Sequence, residues 1–283
     1  MLGVIEIGGL TYTYPSMTRP SVEEISLRIE TGKFVILTGP SGCGKTTLCR
    51  CFNGLIPHFY HGKLEGDLVV AGLRVNEHPI HELARHVGLV FQNPENQLFA
   101  LSVEKDVAFG LENLGMPRDE IKERVDWALK MTGIEDLHER APHELSGGQQ
   151  QRVAISCVLA MQPEVMVLDE PTSFLDPLGA QKIFEVIHDL NEKLGITVIL
   201  VEHRLDLASK YANHVIVMSE GKVVLDGEPR EVFNSEQARL IGVGIPKATR
   251  LYQLLEEKGV YLKKVPVTSE EASHLLREVL KRD

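Results

Sequence analysis

The segment GPSGCGKTT, Gly39–Thr47, gathers three glycines, a lysine and two threonine hydroxyls in nine consecutive residues. It satisfies the pattern G-x-x-x-x-G-K-[ST] and follows KFVILTGP, an apolar run that reads as a buried strand, with a predicted helix behind it. Gly39, Gly42 and Gly44 would let backbone N–H groups curl around phosphate oxygens, and the helix N-terminus would add partial positive charge. Lys45 would reach the β- and γ-phosphates, and the Thr46 hydroxyl would ligate Mg²⁺. Pro40, Ser41, Cys43 and Thr47 complete the cradle. With background glycine near ~7%, a chance match somewhere in the chain is on the order of one in a hundred, so a nucleotide site outweighs an ordinary glycine-rich turn.

Such a loop needs carboxylates, and VMVLDEP supplies two. Asp169 ends an apolar strand, where it can hold Mg²⁺ through its water shell. Glu170 follows at once and points elsewhere, which suits it to orient and deprotonate an attacking water. His203 closes the run VILVEH, and strand ends of a parallel sheet are where ligands collect; there it could hold the γ-phosphate and the water. A structural histidine is the competing reading. Gln92 closes VGLVFQ in the same manner and could ligate Mg²⁺ or sense phosphate. LSGGQ, from Leu145, opens a helix with two bare glycines. Ser146, Gly147, Gly148 and Gln149 there present unpaired N–H groups and a serine hydroxyl to an anion.

The elements that must position these residues follow from periodicity. Short apolar runs at Lys33, Val87, Val165, Gly195 and His214 alternate with helical patterns such as Ile183, Val186, Ile187, Leu190 and Leu194. That alternation implies an α/β fold with a mostly parallel core sheet covered on both faces. VIEIGGLTYTY and ISLRIETG predict an N-terminal antiparallel β element. A helical subdomain is expected over about residues 95–162, and short helices after about Pro229. The boundaries drawn from this are a cassette over 1–230 and a C-terminal helical extension over 231–283. In the extension, Thr268 with Glu271 forms a candidate capping box. Ala272, Leu275, Leu276, Val279 and Leu280 make one apolar stripe, suited either to packing on the cassette or to a dimer contact.

The bulk numbers narrow the classes. The 283 residues are 43% hydrophobic and 25% charged, ordinary for a globular protein. A net charge of −10, from 30 basic and 40 acidic residues, argues against a general nucleic-acid binder. No signal peptide and no membrane span are expected. The four cysteines, Cys43, Cys49, Cys51 and Cys157, lack zinc-type spacing and read as reduced thiols.

Taken together, GPSGCGKTT, LSGGQQQRVAI, VMVLDEP, SFLD (Ser173–Asp176) and VEH (Val201–His203) resemble the nucleotide-binding subunit of an ABC transporter over about residues 1–230, in that family's order. The resemblance implies a P-loop NTPase cassette that binds ATP and Mg²⁺ and pairs head to tail with a second ABC ATPase subunit, a copy or a different chain. Each ATP would lie between one P-loop and the partner's LSGGQ. It further implies that Tyr14, rather than Tyr12, stacks on adenine, and that Asp176 couples the two sites. Gln92 would link Mg²⁺ to the transmembrane partner, His203 would be the switch histidine and Glu170 the catalytic base. FQNPENQLF, SVEKDVAFGLENLG and VEHRLD are similar to the ATPase components of energy-coupling factor transporters, importers of vitamins and transition metals. Phe174 departs from that group, where Gln, Gly or Ala is commoner. The partners implied are a transmembrane coupling subunit and a substrate-binding membrane subunit, with this chain peripheral on the cytoplasmic face. Soluble ABC ATPases of DNA repair are set aside because Gly39–Leu145 leaves no room for their long coiled coil, and the ribosomal types because only one cassette is present. Apolar residues after Gln92, namely Leu98, Phe99, Leu101, Val103 and Phe109, are expected in part to line a groove for a membrane-subunit helix.

Overall fold

The computed structural model describes residues 3–280. Among the described residues, ten strands form two sheets. The first sheet, in order β2-β1-β4-β5, is antiparallel and uses β1 (Gly3–Thr13), β2 (Val22–Glu30), β4 (Lys63–Val70) and β5 (Leu73–Arg74). The second runs β10-β9-β3-β8-β7-β6, from β3 (Phe34–Thr38), β6 (Val87–Val90), β7 (Val165–Asp169), β8 (Thr197–Val201), β9 (His214–Ser219) and β10 (Lys222–Gly227). Every pairing in it is parallel except β9 with β10.

Apolar residues run without a break along β3, β7 and β8 because both faces of the sheet are covered. Phe34 and Ile36 of β3, Met166 and Leu168 of β7, and Val198 and Leu200 of β8 enter one core. Their neighbours Val35, Leu37, Val165, Val167, Ile199 and Val201 enter a second core with the antiparallel sheet. Helices α1 (Lys45–Phe52), α2 (Leu55–His58) and α3 (Ile80–His86) lie between β3 and β6 in sequence. The stretch expected to be helical holds a 3₁₀ turn at Pro94–Asn96, then α4 (Val103–Asn113), α5 (Arg118–Met131) and α6 (Gly147–Leu159).

Helix α7 (Pro177–Leu194) shows why these termini fall where they do. Asp176 caps the start by accepting from the Gly179 N–H, Pro177 sits in the first turn, and Gly195 ends it with φ 68°. Ala180, Ile183, Phe184, Ile187 and Leu190 face the core, each of the larger side chains stabilising by about 1.5–3 kcal/mol. Val186 is only partly buried and Leu194 is exposed, so the stripe is narrower than its spacing predicts. Short helices α8 (Leu205–Ala208), α9 (Pro229–Asn234) and α10 (Glu236–Ile241) lead to α11 (Lys247–Glu257) and α12 (Ser269–Leu280). No helix among the described residues is long and apolar enough to cross a membrane.

Candidate active site

The loop between β3 and α1 is built around glycines that no other residue could replace. A Cβ at Gly39 would lie 2.0 Å from the Met218 carbonyl oxygen, and one at Gly44 would lie 2.3 Å from that of Ser21. Both have positive φ, 145° and 104°. Lys45 is buried and folds back into the loop, its Nζ donating to the carbonyls of Gly39 (2.9 Å) and Pro40 (3.0 Å). The Cys43 thiol is pushed up by burial, against the pull of Lys45, and therefore stays protonated. The Lys45 ammonium is thus held by neutral backbone acceptors, which are weaker partners for a cation than an anionic oxygen would be.

Asp169 ends β7 near the Thr46 hydroxyl. Burial raises the Asp169 pKa, and the pull of the Thr46 hydroxyl only partly offsets this. A desolvated carboxylate beside a hydroxyl is the oxygen donor set that a hard divalent cation takes. Glu170 then turns away with φ 50°, so the two carboxylates diverge. Its Oε2 accepts from the Gln92 amide and from the Ser173 hydroxyl, both at 2.9 Å. Its Oε1 lies 3.2 Å from His203 Nε2. Sequence reasoning singled out Gln92, Glu170 and His203, and the structure brings all three together; Ser173 joins them, known beforehand only as part of SFLD. Gln92 and His203 stand two residues beyond their strands, which end at Val90 and Val201. That slack is what lets both side chains swing to Glu170.

Ser146 caps α6: its Oγ accepts from the Gln149 N–H, and its own N–H donates to Gln149 Oε1 at 2.9 Å. The Ser146 hydroxyl proton and the first N–H groups of α6 are left for an outside acceptor. A Cβ at Gly148 would meet nothing within 4 Å. Packing within this chain therefore does not account for a glycine there. Asp176 spends Oδ1 on the Gly179 N–H at 2.6 Å.

A family model described as ABC transporter matches residues 22–173, just over half of the chain. A putative ABC transporter ATP-binding protein of Pyrococcus horikoshii is 44% identical over 277 residues, 98% of this chain and 97% of that protein. The chain belongs to the ABC transporter ATP-binding family. Within it, the energy-coupling factor transporter ATP-binding protein EcfA of Methanocaldococcus jannaschii is 43% identical over 258 residues, 90% of each chain. The solved structure of cbiO1 from Clostridium perfringens, described as part of the ABC transporter complex cbiONQ, superposes with a TM-score of 0.76 at 39% identity, covering 90% of this chain and 100% of that one. A dimeric ATP-binding cassette in a post-hydrolysis state with ADP and Pi gives 0.69 at 30% identity, covering 80% and 99%.

Two further features of this ABC cassette bear on nucleotide and partner. Tyr12 is fully buried and its hydroxyl donates to the Tyr60 and His61 carbonyls, so it has no face for a base. Tyr14 is half-buried, with its hydroxyl 3.3 Å from Thr47 Oγ1 and accepting from Arg50 at 3.2 Å, which seats the ring beside α1. Of the apolar residues after Gln92, Val103 is buried and Leu98 packs on the core, whereas Phe99, Leu101 and Phe109 are exposed. The Phe99 and Phe109 rings meet edge to face at 4.7 Å.

Proposed function

We propose that this cassette is the ATP-hydrolysing subunit of a membrane importer of the energy-coupling factor type, a carrier of vitamins or transition-metal ions. The observation that carries the reading is the convergence of Gln92, Ser173 and His203 on Glu170, next to an Asp169–Thr46 pair and a phosphate cradle. The similarity to EcfA over 90% of both chains supports the subgroup.

On this reading Gly39–Thr47 bind the phosphates and Tyr14 the adenine. Thr46, Asp169 and Gln92 would hold Mg²⁺, which when bound neutralises phosphate charge. Glu170 takes the proton of the attacking water, and its three partners aim the carboxylate. His203 leaves Glu170 for the γ-phosphate when nucleotide is present. Ser146, Gly147, Gly148 and Gln149 serve the nucleotide of a second cassette, the same or a different chain, and Asp176 sits in the loop that couples the two sites. The transmembrane coupling subunit and the substrate-binding membrane subunit complete the complex, with this chain peripheral on the cytoplasmic face. Residues 1–230 form the working cassette and 231–283 an extension whose exposed Leu251 and Leu280 suit a second role in pairing.

Substituting Glu170→Gln tests the assignment. ATP binding is retained while turnover drops by roughly two to four orders of magnitude, the range for losing a general base. Trapped ATP holds two cassettes together, read as earlier elution, and adding Ser146→Arg to the same chain abolishes that shift. Near-normal hydrolysis by Glu170→Gln would overturn the base assignment.

A further inference from the structure

Glu202 lies between β8 and His203 and is only 2% exposed, yet the proposed reaction does not use it. A buried carboxylate is costly unless donors surround it, and here three do. The hydroxyl of Thr172, itself fully buried, donates to Oε1. The N–H groups of His203 and Arg204 donate to Oε2 at 2.7 and 3.0 Å. Arg204 adds a parallel tie, its guanidinium donating to the Leu175 carbonyl at 2.8 Å.

These bonds join two loops that the sheet itself does not register. The β7–β8 ladder ends at Asp169 opposite Val201, with one further bond from the Glu170 N–H to the Val201 carbonyl. Past that point the chains part, carrying Glu170 on one side and His203 on the other. Thr172 lies on the Glu170 side of the clip, and the two N–H groups lie on the His203 side.

We propose that Glu202 is a positioning residue for ATP hydrolysis, clamping the main chain of His203 to the Glu170–Leu175 loop so that the imidazole turns between carboxylate and phosphate over a fixed backbone. This rests on the roles given above to Glu170 and His203. It is a geometric role, and the chemistry of an amide separates it from a role for charge. In Glu202→Gln the side-chain oxygen can accept from both N–H groups while its NH₂ donates to Thr172, whose hydroxyl reverses to acceptor. The clip survives and the charge is lost.

The experiment compares Glu202→Gln, Glu202→Met, Thr172→Val and Thr172→Ser in the full chain, measuring ATP affinity, turnover and thermal unfolding. Glu202→Gln and Thr172→Ser keep turnover within about threefold. Glu202→Met lowers kcat by roughly ten- to a hundredfold with ATP affinity unchanged, the scale of an ångström-level misplacement. Thr172→Val falls between, and adds little when combined with Glu202→Met because both break one clip. A Glu202→Gln chain as impaired as Glu202→Met would overturn the geometric role in favour of charge. Folded Glu202→Met or Thr172→Val chains with native kcat would reduce the clip to stability alone. Should Glu202→Met fail to fold, the contrast between Thr172→Val and Thr172→Ser decides the matter. Loss of turnover in Glu170→Gln without loss in Glu202→Met would sink this inference and leave the base assignment standing.

Discussion

At the scale of single residues, burial works against the charge on Asp169. Its pKa is raised, chiefly by burial, so the folded chain binds that proton more tightly than the unfolded chain does. The stability this contributes is present at low pH and is lost as pH rises through the folded pKa. Asp169→Asn keeps an acceptor for Thr46 and removes the charge. Without nucleotide or Mg²⁺ it is expected to unfold at a higher temperature than the native chain at mildly alkaline pH, with the gap closing as pH falls. The extra stability that Mg²⁺-ATP confers on the native chain is expected to be smaller in the variant. An equal gap at both ends of the pH range would show that desolvation of this charge is not the cause. Asp169 was legible in the sequence because a strand-end carboxylate has to follow the phosphate cradle in the chain at a recognisable apolar run. Glu202 was not, since its three donors come from Thr172, His203 and Arg204, and only folding shows that one carboxylate serves them all. Tyr12 and Tyr14, two residues apart in the sequence, differ in burial and in bonding: Tyr12 is fully buried with its hydroxyl spent on two carbonyls, and Tyr14 is half-buried.

At the scale of elements, the parallel strands could be read because burial on both faces leaves them wholly apolar. Strand β4 could not. Its first five residues, Lys63–Asp67, are largely exposed, and KLEGD carries no alternation to betray that it pairs with β1. The predicted capping box of α12 forms only in half. Thr268 Oγ1 accepts the Glu271 N–H, but the Glu271 carboxylate reaches past Thr268 to the Val267 N–H and to Arg230 in α9. The bidentate Arg230 bond, the largest cause, holds Glu271 down at about 2. A lowered carboxylate pKa contributes stability above the ordinary glutamate value near ~4.3 and loses it as pH falls towards the folded one. The two side chains are 35% and 25% exposed, so solvent screening limits the pair to on the order of 1 kcal/mol. Arg230→Met should therefore speed amide exchange across α12 by about fivefold near pH 6. Near pH 2 the change should be much smaller, once intrinsic exchange rates are corrected. A fivefold effect at both values would assign the anchorage to packing rather than to the ion pair.

At the scale of the whole molecule, ATP chemistry has to reach a partner through a surface, and the segment after Gln92 offers one. The sequence showed surplus apolar residues there but could not divide those that pack inward from those that face out, because α4 and the loop before it contribute to both. Phe99 is 66% exposed, Leu101 82% and Phe109 45%. The patch is built rather than loose. The buried Asp106 carboxylate accepts the N–H groups of Phe99 and Ala100, both at 3.0 Å, fixing the loop beside α4. Its other end is Gln92, which holds Glu170, so a shift of the patch and a change at the carboxylate are linked through one short segment. An apolar, pre-shaped surface of this kind suits an amphipathic helix from the transmembrane subunit. Phe99→Glu and Leu101→Glu place a charge in that contact while leaving the core untouched, which Leu98 or Val103 substitutions would not. Each should weaken recovery of the membrane chains in mild detergent by tenfold or more, in line with about 1.5–3 kcal/mol for a buried apolar side chain. Substrate transport should fall with it, while ATP binding and cassette pairing in solution stay at native levels. If both variants fold, pair on ATP and still bring down the membrane chains in native yield, the transmembrane subunit docks on another face.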